Sequence, residues 1–224
     1  FLAEARSLLR RAEETERFLA DLGGTVSGDL RLHASQTVAS YWLPPYLVRY
    51  RELHPRVTVH LHSGNTLTVA EAVLDGAADL GVVEGAVDLP GLEKEGVAED
   101  RLVLIVAREH PWADGRAVRA EDLPGTSWVV RETGSGTRAA FEADIRALGA
   151  EPGSLPIALE MPSNEACLAV VEAGESATVL SRRAALPRLR SGAVHEVNFD
   201  LPVRHFCVLR HAERHAPRSV LAMM

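Results

Sequence analysis

Apolar and polar positions recur along the chain with two different periods, and the changes of period mark out the elements. Residues 1–22 contain neither Pro nor Gly, are rich in Ala, Leu, Glu and Arg, and run into Gly23-Gly24, which predicts one helix. Within it Leu2, Ala5, Leu9, Ala12 and Leu19 follow a heptad spacing that Glu16 interrupts. So narrow an apolar stripe calls for a partner helix, and the segment reads as a dimerisation or connector helix. The period then falls to two. Residues 29–33, 57–62 and 78–83 read as strands, separated by a helix that opens at Ser35-Gln36-Thr37 and by another over residues 67–74. Pro44-Pro45 must sit in a first turn of the earlier helix or kink it. Strand and helix alternating with short joints predict a parallel sheet covered by helices, its loop ends gathered on one edge.

The pattern restarts downstream. Strands are expected at 101–106, 127–130, 156–161, 177–180 and 204–209, and helices over 135–148, from the Ser163-Asn164-Glu165 cap to Ala173, and at 216–224. The chain thus reads as two similar α/β units whose joints fall near Arg101-Leu102 and Phe206-Cys207. Two joints mean that the chain crosses over and returns. The expected division is a connector helix at 1–24, a first unit made of 25–101 with 208–224, and a second unit at 102–207. A small ligand would sit in the cleft between them, lined by Ser35, Gln36, Thr37, Asn65, Thr66 and the turn that ends in Arg138.

That turn, Arg131-Glu132-Thr133-Gly134-Ser135-Gly136-Thr137-Arg138, leads from an apolar strand through two glycines into a helix. Unpaired amides and the positive end of the helix dipole make such a place a ready anion seat. Thr133, Ser135 and Thr137 add hydroxyls, and Arg138 adds a guanidinium suited to a carboxylate or phosphate. An ordinary strand-to-helix turn capped by Thr or Ser accounts for the same residues. The stretch also fits the dinucleotide fingerprint G-x-G-x-x-G/A, with Glu160 near the place of a ribose partner, though it lacks the Gly-Lys-Ser/Thr of a Walker loop. His33, His60 and His62 share a sheet face and could be imagined as a metal cluster, but strand histidines without further ligands are better read as half-buried side chains. No Gly-x-Ser-x-Gly elbow occurs. Asp75, Asp79 and Glu84 flank turns and strand ends, where carboxylates are expected to cap or face solvent. No catalytic constellation, cofactor site or metal site emerges.

Composition narrows the partners. The 224 residues are 46% hydrophobic and 25% charged, with a formal net charge of -7. No apolar stretch approaches the roughly 20 residues a spanning helix needs, so no membrane partner is expected. The acidic balance argues against this piece wrapping nucleic acid by itself. Cys167 and Cys207 lack Cys-x-x-Cys spacing and read as reduced, buried thiols of an intracellular protein.

Several short motifs, in order and spacing, resemble those of LysR-type transcriptional regulators. They are Phe1-Leu2-Ala3-Glu4-Ala5-Arg6, Gly28-Asp29-Leu30-Arg31-Leu32, Leu43-Pro44, Leu74-Asp75-Gly76-Ala77-Ala78-Asp79-Leu80-Gly81 and His110-Pro111. The stretch Glu132-Thr133-Gly134-Ser135-Gly136-Thr137-Arg138 resembles the branch with the cysteine-metabolism and carbon-fixation regulators. The resemblance covers essentially the whole chain. It implies two Rossmann-like subdomains in a type 2 periplasmic-binding-protein-like α/β fold behind a connector helix, and a cytoplasmic, non-enzymatic regulator. It further implies a homodimer, or a tetramer at full length, which touches DNA only through a winged helix-turn-helix domain ahead of this chain. The opening without Met, its apolar pattern already in phase, agrees with a piece of a longer protein. The family's effector seat maps onto Ser35, Thr37, Asn65, Thr66 and residues 133–137, and its ligands are often small carboxylate, phosphate or sulfate metabolites. A periplasmic-type solute-binding protein and a nucleotide-cofactor enzyme fragment are the alternatives.

Overall fold

The structure is a computed structural model that describes residue 1, residues 26–85 and residues 87–224. Apart from Phe1, the expected connector helix with its Leu2-to-Leu19 stripe lies outside the described residues.

The first unit opens with β1 (Gly28–Ser35), β2 (Val57–Gly64) and β3 (Leu80–Glu84), which pair in parallel in the order β2-β1-β3. The single helix expected after β1 is two: α1 (Gln36–Tyr41) and α2 (Pro44–Leu53). Pro44 and Pro45 occupy the first turn of α2, because a residue without an N–H cannot extend the ladder of α1. The third helix, α3 (Thr66–Asp75), begins in a reciprocal cap between Asn65 and Thr68 and ends at Gly76, whose φ of 76° few other residues adopt.

The next strand, β4 (Leu92–Ala107), is 16 residues long and starts well before the expected residue 101. The part before Arg101 carries Glu93, Lys94, Glu95, Glu99 and Asp100 and shows no apolar alternation. It becomes a strand because β9 (Val203–His211) pairs with it antiparallel and satisfies its backbone. The same β9 also pairs antiparallel with β3, so the first sheet runs β2-β1-β3-β9-β4.

Between Arg101 and Leu102 the long strand changes partners. Residues 92–101 pair with β9, residues 102–105 with β7 (Thr178–Ser181), and residues 105–107 with β8 (Val194–Glu196). Next to β7, bridged through Trp128 and Ala177, lies β5 (Trp128–Arg131), which is parallel to β6 (Ile157–Met161). Helices α4 (Gly136–Ala147), α5 (Asn164–Ala173) and α6 (Arg182–Ser191) pack on these strands, and α7 (Arg218–Leu221) ends the chain. The Arg-rich α6, with Pro187 inside it, was not anticipated, and the helix expected over 216–224 is one turn only.

Alternation explains both cores. Along β4, Leu102, Leu104 and Val106 join Trp112, Trp128, Phe141 and Ile145 on one face, while Val103 and Ile105 join Cys167, Leu168 and Val171 on the other. In the first unit Leu30, Leu32, Leu80, Val82 and Phe206 make one core, and Val69, Val73, Val83 and Leu209 make the second. Each such buried aliphatic contributes about 1.5–3 kcal/mol. Sheets covered on both faces hold their strand ends in fixed positions, and the carboxyl ends of β1 and β3 come to face those of β5 and β7.

Candidate functional site

Where the strand ends meet, the first turns of α1, α3, α4 and α5 converge. Ser35, the last residue of β1, and Thr37, in the first turn of α1, are 1% and 0% exposed. The Ser35 hydroxyl donates to a Glu84 carboxylate oxygen, and Thr137 Oγ1, in the first turn of α4, donates to the other at 3.2 Å. Glu84 closes β3 and is 2% exposed. The expectation that Glu84 would cap a turn or face solvent is therefore corrected. A strand of apolar neighbours pulls it inward, and two hydroxyls and a buried arginine behind Thr137 compensate its charge.

That arginine is Arg204 of β9, which donates to Thr137 Oγ1 at 3.1 Å and to Asp100 Oδ2 at 2.8 Å. The Ser181 hydroxyl at the end of β7 donates to Asp100 Oδ1 at 2.7 Å. A buried relay thus runs from Ser35 through Glu84, Thr137, Arg204 and Asp100 to Ser181, tying the seat to the strands that join the units.

A second set of bonds joins the two units directly. The Asn164 backbone N–H donates to Gln36 Oε1 at 2.8 Å, and its side-chain amide donates to Thr37 Oγ1 at 3.1 Å. Buried Arg131 holds Asn164 in place through a 2.8 Å bond to its Oδ1. Gln36 also donates to Glu165 at 2.9 Å, and the Tyr41 hydroxyl donates to the same carboxylate. Burial and that carboxylate push the Tyr41 phenol well above its ordinary range.

The glycine turn lies at the same junction. The Leu67 N–H donates to the Gly134 carbonyl at 3.2 Å, Asn65 Nδ2 reaches the Thr133 carbonyl at 3.4 Å, and Thr66 Oγ1 donates to the Glu84 carbonyl at 3.0 Å. Ser135 is the N-cap of α4 and accepts from the Arg138 N–H at 3.4 Å. Gly136 permits the closest approach: a Cβ there would lie 2.2 Å from the Glu84 carbonyl oxygen and 2.3 Å from Thr66 Oγ1. Beside these contacts a shallow depression opens, lined by Thr66, Leu67, Val87, Leu89, Gly134 and Ala139.

Ser35, Gln36, Thr37, Asn65, Thr66, Thr133, Gly134, Ser135, Gly136 and Thr137 therefore gather at one junction. Arg138 is turned elsewhere, its guanidinium bonded to Glu142 at 2.8 Å, Glu160 at 2.6 Å and the Arg131 carbonyl at 3.0 Å. Glu160, the ribose partner of the dinucleotide alternative, is engaged by that contact. The histidines form their own outer group, with His33 and His62 rings 4.8 Å apart and His60 3.1 Å from Asp29. Sequence reasoning missed Glu84, Asn164, Asp100 and Arg204. The one available signal was internal: Ser163-Asn164 begins the helix after β6 as Asn65-Thr66 begins the helix after β2.

Residues 23–224 match the family model described as the LysR substrate binding domain. The chain is 34% identical over 218 residues to the uncharacterized HTH-type transcriptional regulator YeiE of Escherichia coli (strain K12), covering 96% of this chain and 72% of that protein. It is 32% identical over 185 residues to the HTH-type transcriptional regulator CysL of Bacillus subtilis (strain 168), covering 83% of this chain and 60% of that one. Among solved structures, the regulatory domain of CcmR from Synechocystis PCC6803 in complex with 2-PG superposes with a TM-score of 0.78 at 24% identity, over 87% of this chain and 93% of that one.

Proposed function

The chain belongs to the LysR substrate-binding-domain family, and from that premise we propose that its cleft senses a small anionic metabolite on behalf of a DNA-binding domain elsewhere in a full-length cytoplasmic regulator. It is the effector-binding domain of a transcriptional regulator, not an enzyme, and its fold is of the type 2 periplasmic-binding-protein-like kind. That membership decides against the solute-binding and nucleotide-cofactor alternatives. The effector would be a carboxylate, phosphate or sulfate compound held by Ser35, Gln36, Thr37, Asn65, Thr66 and residues 133–137, while Arg138, paired with Glu142 and Glu160, stays outside the seat. The two units would be residues 25–101 with 203–224, and residues 102–202, behind a connector formed by 1–24, with the return at the start of β9 instead of near Phe206-Cys207, because β9 pairs with β4 along its whole length and also with β3. Self-association as a homodimer, and as a tetramer at full length, completes the reading, since a regulator reading two half-sites needs two-fold pairing.

The observation that carries it is the pair of bonds from Asn164 to Gln36 and Thr37, which join one unit to the other through the seat itself. A ligand that enters must compete with these bonds, so it binds open and closed arrangements with different affinity, which is the requirement for shifting their populations. Among the described residues no helix is long and apolar enough to cross a membrane. The test is a thermal-shift screen of sulfate, phosphate, O-acetylserine, phosphoenolpyruvate and nicotinamide dinucleotides, followed by solution scattering with the stabilising compound at saturation. An anion should raise the melting temperature and change the scattering profile. Stabilisation by a dinucleotide alone, or an unchanged profile at saturation, would contradict the proposal.

A further inference from the structure

An anion seat that already contains a buried carboxylate poses a chemical problem. Ser35 and Thr137 each own a single hydroxyl proton, and both protons are directed at Glu84. Neither hydroxyl can donate to an incoming anion while that arrangement holds. The carboxylate has little freedom to leave. Glu84 pairs with Phe206 in the sheet, its carbonyl accepts from Thr66 Oγ1 at 3.0 Å, and its backbone lies so close to Gly136 that not even a Cβ fits between them. The charges behind the seat include Arg204 of β9, which reaches Thr137, Asp100 of β4, which Arg204 also engages and Arg183 of α6 approaches to 3.6 Å, and Asp144 of α4, near Arg204. On the α3 side the contact is the neutral Thr66 hydroxyl.

Resting on the cleft reading above, we propose that Glu84 is a specificity-determining residue that selects effectors carrying their own O–H donor beside the anionic group. A carboxylate has about four lone-pair positions, and the two hydroxyls use two of them. A ligand O–H fills another and turns the repulsion of two anions into a charge-assisted hydrogen bond. An anion with no proton has nothing to offer Glu84 and meets a like charge at short range. The ligand class is therefore a hydrogen oxyanion, a phosphate monoester that retains its proton, or a hydroxy acid, as opposed to a fully ionised oxyanion.

Two inorganic probes separate these cases, because at neutral pH phosphate still carries a proton and sulfate carries none. Their affinities are measured calorimetrically on the unaltered chain, on Glu84→Gln and on Thr137→Val. The unaltered chain should prefer phosphate by about tenfold or more, a difference of about 1.4 kcal/mol or more. Glu84→Gln, whose amide can donate, should strengthen sulfate binding by a similar factor and erase the preference. Equal binding of the two anions to the unaltered chain overturns the proposal without needing any variant to fold. If Thr137→Val then weakens both anions alike, the cleft reading stands and only the selection by Glu84 falls. Binding of neither anion to any of the three proteins overturns both. A phosphate preference that persists in Glu84→Gln places the discrimination elsewhere and also overturns it.

Discussion

Replacing Thr137 by Val keeps the side-chain shape and deletes one hydroxyl, yet that hydroxyl is fully buried between two charged groups. It accepts from Arg204 at 3.1 Å and donates to Glu84 at 3.2 Å, so the substitution removes two charge-assisted bonds at once. Each is worth about 1.5–3 kcal/mol, which sets an upper bound of about 3–6 kcal/mol. The lower end applies, because Glu84 keeps Ser35, Arg204 keeps Asp100, and bonds in one network do not add. A loss of about 3 kcal/mol in a domain of this size lowers the melting temperature by about 6–12 °C. Ser135→Ala is the internal control. Ser135 caps α4 through the Arg138 N–H and should cost only about 1 kcal/mol. The assay is urea unfolding followed by circular dichroism, with the denaturant slope checked for constancy. If Thr137→Val costs no more than Ser135→Ala, the buried relay contributes nothing to stability and the reasoning fails. Ligand affinities of Thr137→Val should be read only where the variant is folded, since the same hydroxyl serves both roles.

Gly136→Ala should destabilise by about 1–3 kcal/mol through overpacking against the Glu84 carbonyl, visible as earlier thermal unfolding; an unchanged melt would mean that the close contact is absent in solution. Burial pushes the Cys167 thiol up to about 11, so a thiol reagent at pH 7.5 should label it only as fast as the protein unfolds, and rapid labelling of the native chain would refute its enclosure. Removing residues 1–24 should weaken self-association without abolishing it, as measured by sedimentation; a monomer at high micromolar concentration with or without that segment would rule out the proposed pairing.

Local chemistry made the parallel strands of the first unit and most helix starts readable. Leu30, Leu32 and Ala34 alternate with polar neighbours, and Asn65, Ser135 and Ser163 cap helices by bonds within three residues. What escaped was set by partners distant in sequence. The charged half of β4 is a strand only because β9, about 100 residues later, supplies its ladder. Pro187 and four arginines disguised α6, which is anchored by packing of Ala184 and Ala185 and by a Ser181 cap. Glu84 gave the opposite impression of its role because a lone acid at a strand end is usually solvated; only the arrival of Ser35 and Thr137 from other elements makes its burial tolerable. Asn164 was noted as part of a cap, while its bonds to Gln36, Thr37 and Arg131 depend on how the units meet.

The position of β9 inside the first sheet, between β3 and β4, bears on the order in which the chain can fold during synthesis. The strands β4, β5, β6, β7 and β8 are all made before residue 203, so every strand of the second sheet precedes β9 in synthesis. The first sheet needs β9 itself. Until β9 emerges, β3 has no neighbour on one side, the apolar faces of Leu80 and Val82 lack Phe206 and Val208, and Asp100 waits for Arg204. The nascent protein therefore carries an unsealed sheet edge through most of its synthesis, and closing that edge requires a contact of long sequence separation, the slow kind. We expect a released chain truncated before residue 203 to be protease-resistant in its second unit and sensitive in its first, with resistance of the whole arriving in a single step once the final strand is included.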